Sequence, residues 1–402
     1  MNRREFVART SLLAGATVLG AGVAGGSLPR TAAAQSEVQS EPAATKEELK
    51  PECIDVHHNI LPPVFVDALQ RRALGALTGM ALPSWSVQQS VALMDAQGIQ
   101  TAITSLPAPG VCFGEGRAAA DLARSCNEFA AEMAVTYPGR FGSFAVLPLP
   151  ATDLACAEAI YALDTLQADG VLLMGSSNGV FLGDPQFEEL MSELNQRQAT
   201  VFLQANLHPS SAQLGLGTPP YALEMVCDIT RAAINLIFTG TMERYPRIRW
   251  ILADGGGFLP YAAWRISLAN ALPEFADDVP LGVMTYLRRF YFDTAASTSP
   301  ASMAVIKELV EPAQVVFGSG YPIAPAASVG AEIQTLRQSP LWEAKELRGI
   351  TRGHALSLFP HYAEKGEWLT LAPVHESESS LQWWGRTLKK PLGALAQHLK
   401  DQ

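Results

Sequence analysis

The chain has 402 residues, a formal net charge of -10 and 48% hydrophobic residues. That is enough apolar material for one large core or two ordinary ones, and the 17% charged residues are too few for a broadly disordered chain. The acidic balance argues against nucleic acid or an anionic membrane as the main partner.

Residues 1–34 read as a twin-arginine signal peptide. Arg3-Arg4 precedes Phe6, a Gly/Ala-rich apolar stretch runs from Ser11 to about Gly26, and Thr31-Ala32-Ala33-Ala34 offers a small-residue cleavage site. The stretch is shorter than the ~20 residues a span needs. No later segment is long and apolar enough to cross a bilayer, so no integral span is expected after cleavage. Removing residues 1–34 leaves 25 Lys+Arg against 38 Asp+Glu. The expected location is the periplasm or the exterior, reached by a pathway that carries folded proteins. Five scattered cysteines, Cys53, Cys112, Cys126, Cys156 and Cys227, form no metal or disulfide spacing. Residues 35–50 are polar and read as a flexible linker.

From residue 51 short β-branched runs alternate with amphipathic stretches. Strands are expected at 53–58, 101–106, 141–148, 169–174, 199–204, 249–254, 289–294 and 314–319. Helical periodicity is clear at 116–136 and 186–197. Eight strands alternating with helices over residues 51–360 predict an α/β fold, a parallel (β/α)8 barrel of the TIM type. A doubly wound open sheet is the competing arrangement, but no Gly-x-Gly-x-x-Gly follows the first strand. Residues 361–402 differ in character and read as a C-terminal extension lying over the barrel or a partner. In it, His361, His375 and His398 are expected in solvent, and Trp383-Trp384 reads as an anchor.

Several landmarks occur in order: Ile54-Asp55-Val56-His57-His58, Leu182-Gly183-Asp184-Pro185, Arg231-Ala232-Ala233-Ile234-Asn235-Leu236 and Arg244-Tyr245-Pro246. Gly255-Gly256-Gly257, Tyr291-Phe292-Asp293-Thr294 and Phe317-Gly318-Ser319-Gly320-Tyr321-Pro322 follow. Together they resemble the amidohydrolase-related (amidohydrolase 2) family, and within it the aminocarboxymuconate-semialdehyde and 6-methylsalicylate decarboxylase-like members. The resemblance implies a metal at the C-terminal mouth of the barrel and decarboxylation or hydrolysis of small aromatic or unsaturated acids.

It also implies two histidines on the first strand, and here His57 matches the first while Asn59 stands at the second. The fifth strand, where the family has His, ends in Gln204. The sixth carries Asp254 where the family has His, and the eighth has Gly320 where the family has Asp. A divalent transition metal needs three or four imidazole, carboxylate or thiolate ligands. Neutral amides and a glycine do not supply them, so no cofactor is expected, or at most a weakly bound divalent Zn or Mn.

His58 points to the opposite face of a strand from His57 and is not a replacement ligand. His208, four residues past Gln204, would reach the mouth only through a shifted loop and reads as a loop histidine. Asp55 reads as a structural partner of backbone or a neighbouring strand end. The expected catalytic residues are His57 and Asp254, with Asn59, Gln204, Asp293 and Gly320 around a ligand pocket and no metal. Two functions follow. One is a pseudoenzyme, ligand-binding protein or partner subunit, which could assemble with itself or an active homologue and take a small aromatic or carboxylate ligand. The other is an active carboxy-lyase or hydrolase using a displaced metal or metal-free acid–base chemistry.

Overall fold

The computed structural model describes residues 52–75, 81–113, 116–214, 217–367 and 370–375. The signal peptide, the linker, His398 and Trp383-Trp384 lie outside the described residues. Eight strands follow in order around one sheet. They are β1 (Cys53–Asn59), β2 (Ile99–Ser105), β3 (Phe141–Val146), β4 (Gly170–Met174), β5 (Thr200–Gln204), β6 (Arg249–Leu252), β7 (Tyr291–Asp293) and β8 (Val315–Val316).

Every neighbouring pair is parallel. The first and last strands meet through Val56 N–H to the Phe317 carbonyl at 2.9 Å and Gly320 N–H to the His57 carbonyl at 2.8 Å. The result is a nearly closed barrel, as the alternation of strand and helix predicts. The strands are buried on both faces, which is why their sequences are almost continuously apolar.

The helices coat the outside. Gly116–Thr136 buries Ala119, Ala123, Cys126, Ala130 and Met133, a spacing of alternating fours and threes that lays one stripe on the sheet. The second expected helix divides in two. Pro185–Phe187 forms a single tight turn whose start is capped by Asp184 accepting from Gln186 N–H at 3.0 Å, and Glu188–Gln196 continues as α-helix. A short antiparallel hairpin, Ser176–Ser177 with Val180–Phe181, follows β4 and was not expected. No helix among the described residues is long and apolar enough to cross a membrane.

His361 and Tyr362 are tied to the end of the barrel opposite the mouth. His361 Nε2 lies 2.7 Å from Asp169 Oδ1, just ahead of β4, and Tyr362 O–H donates to Asp169 Oδ2 at 3.0 Å. Arg352 grips Glu367 with two bonds of 2.8 and 2.9 Å. His361 is exposed, as expected, and is paired with a carboxylate as well, whereas His375 is half-buried where a solvated side chain was expected. A buried carboxylate at the strand start supplies the reason, since it needs donors from outside its own strand.

Barrel closure depends on Asp55, which is fully buried. It accepts from His57 N–H at 3.0 Å, Ser319 N–H at 2.9 Å, the Ser319 hydroxyl at 2.6 Å and His58 Nδ1 at 3.0 Å. Burial alone would raise its carboxyl. The hydrogen bonds from His58 and Ser319 outweigh that and hold it below the usual carboxylate range. Asp55→Ala would leave these buried donors without an acceptor, at about 1–3 kcal/mol for each donor orphaned. Urea unfolding of Asp55→Ala should therefore show a loss of roughly 3 kcal/mol or more. A loss below about 1 kcal/mol would mean that the closure does not depend on this carboxylate.

Candidate functional site

The site is built on strand ends. β1 carries a bulge: Asp55 pairs with Ala102 and His58 with Thr104, so Val56 and His57 together face Ile103. Side-chain alternation survives it. His57 and Asn59 face the barrel mouth, whereas His58 turns outward to Asp55 and to Ser90 Oγ at 2.9 Å, where the Trp85 indole also donates at 2.8 Å. His208 stays away from the mouth. Its ring bonds Ser210 Oγ at 2.7 Å and the Gly179 carbonyl at 3.2 Å and stacks on Phe181. Asp228 accepts from Ser176 O–H at 2.7 Å and Asn206 N–H at 2.8 Å, joining the loops after β4 and β5.

His57, Asn59, Gln204, Asp254 and Gly320 all line one cavity of about 1030 Å³ at the C-terminal ends of the strands. Its walls are largely apolar, with Pro107, Met225, Val226, Phe258, Tyr261, Ile306 and Pro322 among them, and among the described residues no Lys or Arg lines it. Asp293 does not line the cavity. It lies behind His57, fully buried, and its Oδ2 is 2.7 Å from His57 Nδ1 while Oδ1 accepts from Gly255 N–H at 3.1 Å.

Burial by itself would depress the His57 imidazole. The adjacent Asp293 carboxylate, with smaller help from Asp254 and Asp55, overrides this and lifts it to about 9. The other ring nitrogen, Nε2, meets the Gln204 amide nitrogen at 3.1 Å, and that nitrogen also donates to Asn59 Oδ1 at 3.1 Å. Gln204 Oε1 is buried with no partner. A neutral His57 accepts from the amide in this orientation. An imidazolium requires Gln204 to turn Oε1 toward Nε2–H, with Asn59 turning in step to donate to it. The Asp293 ion pair favours the imidazolium state at neutral pH.

Asp254 follows β6 in a left-handed conformation, with φ at +51°. Gly255, Gly256 and Gly257 continue at positive φ, and a side chain on Gly256 would strike the Phe292 ring at 2.7 Å. A non-glycine residue there costs on the order of 1–3 kcal/mol, though Asp tolerates it better than most. The carboxyl lies deep in the fold, yet it opens onto the cavity and is only half-covered. Among the described residues no donor bonds it. Burial raises it, the His57 charge lowers it, Asp293 raises it again, and the balance is about 6.

Glu332 was not anticipated. It sits on the helix Ala326–Gln338, accepts from Ala296 N–H at 3.1 Å and is raised to about 7, first by burial and then by Asp293 and Asp254. Its only trace in the sequence is one polar residue on an amphipathic helix.

The residues at the mouth do not fit a metal ion. His57 has one ring nitrogen engaged by Asp293 and the other by an amide. Asn59 and Gln204 are neutral amides bonded to each other, and Gly320 has no side chain. Asp254 alone remains. Among the described residues no group of three or more His, Cys, Asp or Glu is arranged to hold a metal, and a stable site needs at least three such donors.

The amidohydrolase family model matches residues 54–360. A decarboxylase of Aspergillus niger is 34% identical over 323 residues, covering 77% of this chain and 88% of that protein. The 6-methylsalicylic acid decarboxylase of Penicillium expansum is 35% identical over 320 residues, covering 76% of this chain and 96% of that protein. Among solved structures, the dihydroxybenzoic acid decarboxylase of Polaromonas sp. JS666, with bound manganese and the inhibitor 2-nitroresorcinol, superposes with a TM-score of 0.68 at 22% identity. It covers 79% of this chain and 99% of that one, and supports the fold.

The His57–Asp293 pair has a definite pH signature. The folded value, about 9, lies above the ordinary 6.5. Its stabilisation is therefore fully present below pH 6.5 and is lost as pH rises through 9. NMR titration of the His57 ring should give a midpoint near 9 in the native chain. Asp293→Asn should move it down sharply and destabilise the protein most below pH 6.5, with the difference fading toward pH 9. Asp254→Asn should lower the midpoint by less. An unmoved midpoint in Asp293→Asn would show that Asp293 does not set the charge of His57.

Proposed function

The chain belongs to the amidohydrolase family, and from this we propose that it is an exported, metal-free binding protein for a small aromatic ligand, a pseudoenzyme on a decarboxylase scaffold. The observation that carries the reading is the Gln204 amide, which lies between His57 and Asn59 and engages both. His57 Nε2, the Gln204 amide nitrogen and Asn59 Oδ1 are thus spent on one another. The apolar cavity remains, of a size that suits an organic ligand. Elemental analysis of protein purified without chelator should find zinc, manganese and iron well below one equivalent. The same protein should release no CO2 from 6-methylsalicylate or 2,6-dihydroxybenzoate. Stoichiometric metal together with chelator-sensitive turnover would sink the proposal.

One observation favours a second reading. Asp254, near 6, faces a histidine held near 9, which is a proton donor poised close to neutrality next to a cation. In metal-free decarboxylation of a hydroxybenzoate, the carboxyl carbon leaves as CO2. The proton from Asp254 then takes up the electron pair left on the ring carbon. Turnover that survives EDTA and disappears in both Asp254→Asn and His57→Ala would establish it.

Export rests on Arg3-Arg4. Replacing both with Lys should leave the full-length chain in the cytoplasmic fraction while the native chain is found outside it. An unchanged distribution would refute twin-arginine export.

A further inference from the structure

We infer that the cavity selects an uncharged aromatic ligand that donates a hydrogen bond to Asp254, and that it disfavours aromatic carboxylates. This rests on the binding reading above and narrows it.

Three observations carry the inference. The first is the charge at the floor of the cavity. Asp254 on the wall and Asp293 just behind His57 contribute two carboxylates against the single imidazole of His57, and among the described residues no Lys or Arg lines the walls. A ligand carboxylate would enter beside Asp254 with no unpaired cation to receive it, and like charges at contact distance in a poorly solvated pocket repel strongly.

The second is the state of Asp254. Its carboxyl faces the cavity without a protein donor and is held there by a left-handed backbone at φ +51°. An ionised carboxylate is an acceptor only. A group kept in a costly conformation with its acceptors open to a cavity calls for a donor on the ligand, such as a phenolic O–H or an N–H.

The third is that the Gln204 amide nitrogen is shared between His57 Nε2 and Asn59 Oδ1, which leaves Gln204 Oε1, itself an acceptor, as the unpartnered atom beside them. The rest of the ligand meets walls such as Val226, Phe258 and Ile306, which suit a ring.

Matched pairs that differ by one carboxylate test this directly: 3-methylphenol against 6-methylsalicylate, and 2-naphthol against 3-hydroxy-2-naphthoate. Binding to the full-length chain is measured by isothermal titration calorimetry at one pH and ionic strength near neutrality, with the fold checked by circular dichroism. In the native chain the phenol of each pair should bind at least ten-fold more tightly than its acid. Asp254→Asn keeps the shape and tolerates the left-handed backbone. It should weaken the phenols by ten-fold or more and bring the acids level with them. Acids that bind as tightly as phenols in the native chain would overturn the inference and leave the binding reading standing. Phenol preference unchanged in Asp254→Asn would overturn the part assigned to Asp254. Folded native protein that binds neither member of either pair would overturn both readings.

Discussion

The buried Asp55 carboxylate joins the two ends of the barrel, and the mouth depends on that junction. One group receives donors from β1 and from the turn after β8, which lie 264 residues apart in the chain. It bonds the His57 backbone and so holds the bulge that presents the His57 ring to the cavity. By anchoring Ser319 it also places Gly320 opposite His57. A charge this deep persists only because its hydrogen bonds exceed the cost of removing it from water. The energetic effect is thus geometric as well: two side-chain positions are set by the closure of the sheet and not by a loop of their own.

Much of this was legible in the sequence, for physical reasons. Eight apolar runs predict eight strands because a strand buried on both faces tolerates few polar residues, and each run falls on a strand of the sheet. Strand periodicity separates His57 from His58 despite the bulge, because the extra residue lies before His58 and the pair still points to opposite faces. The convergence of His57, Asn59, Gln204, Asp254 and Gly320 follows from their places at strand ends, since a parallel barrel gathers those ends at one mouth.

What the sequence did not disclose depends on contacts between distant segments. Glu332 enters the site through a bond to Ala296 and through the field of two carboxylates, and neither leaves a local pattern. The mutual bonding of Gln204 and Asn59 is 145 residues apart in the chain. The tail illustrates the same point from the other end of the barrel. Composition made His361 a solvent residue, and only the fold brings Asp169 to it. Strand ends shifted for a simpler reason. β8 pairs with β7 only over Val315–Val316, because Phe317–Gly320 turns to bond β1 instead.

The protonation of His57 bears on the question that the changed donor set raises. A ring nitrogen must be free of its proton to bind a metal, so a proton and a metal compete for the same lone pair. Here the Asp293 carboxylate strengthens the proton's hold and lifts the ring to about 9. The partner that would orient a metal-binding imidazole is the same partner that makes it a better base. With strong additional ligands nearby, a metal wins that competition. Beside two amides and a glycine the proton has the advantage, and a protonated His57 brings one positive charge to the mouth. That charge is paired with Asp293, which leaves the Asp254 carboxylate without a cation of its own. The amide pair on β1 and β5 and the open acceptor after β6 are thus connected through the charge of one ring.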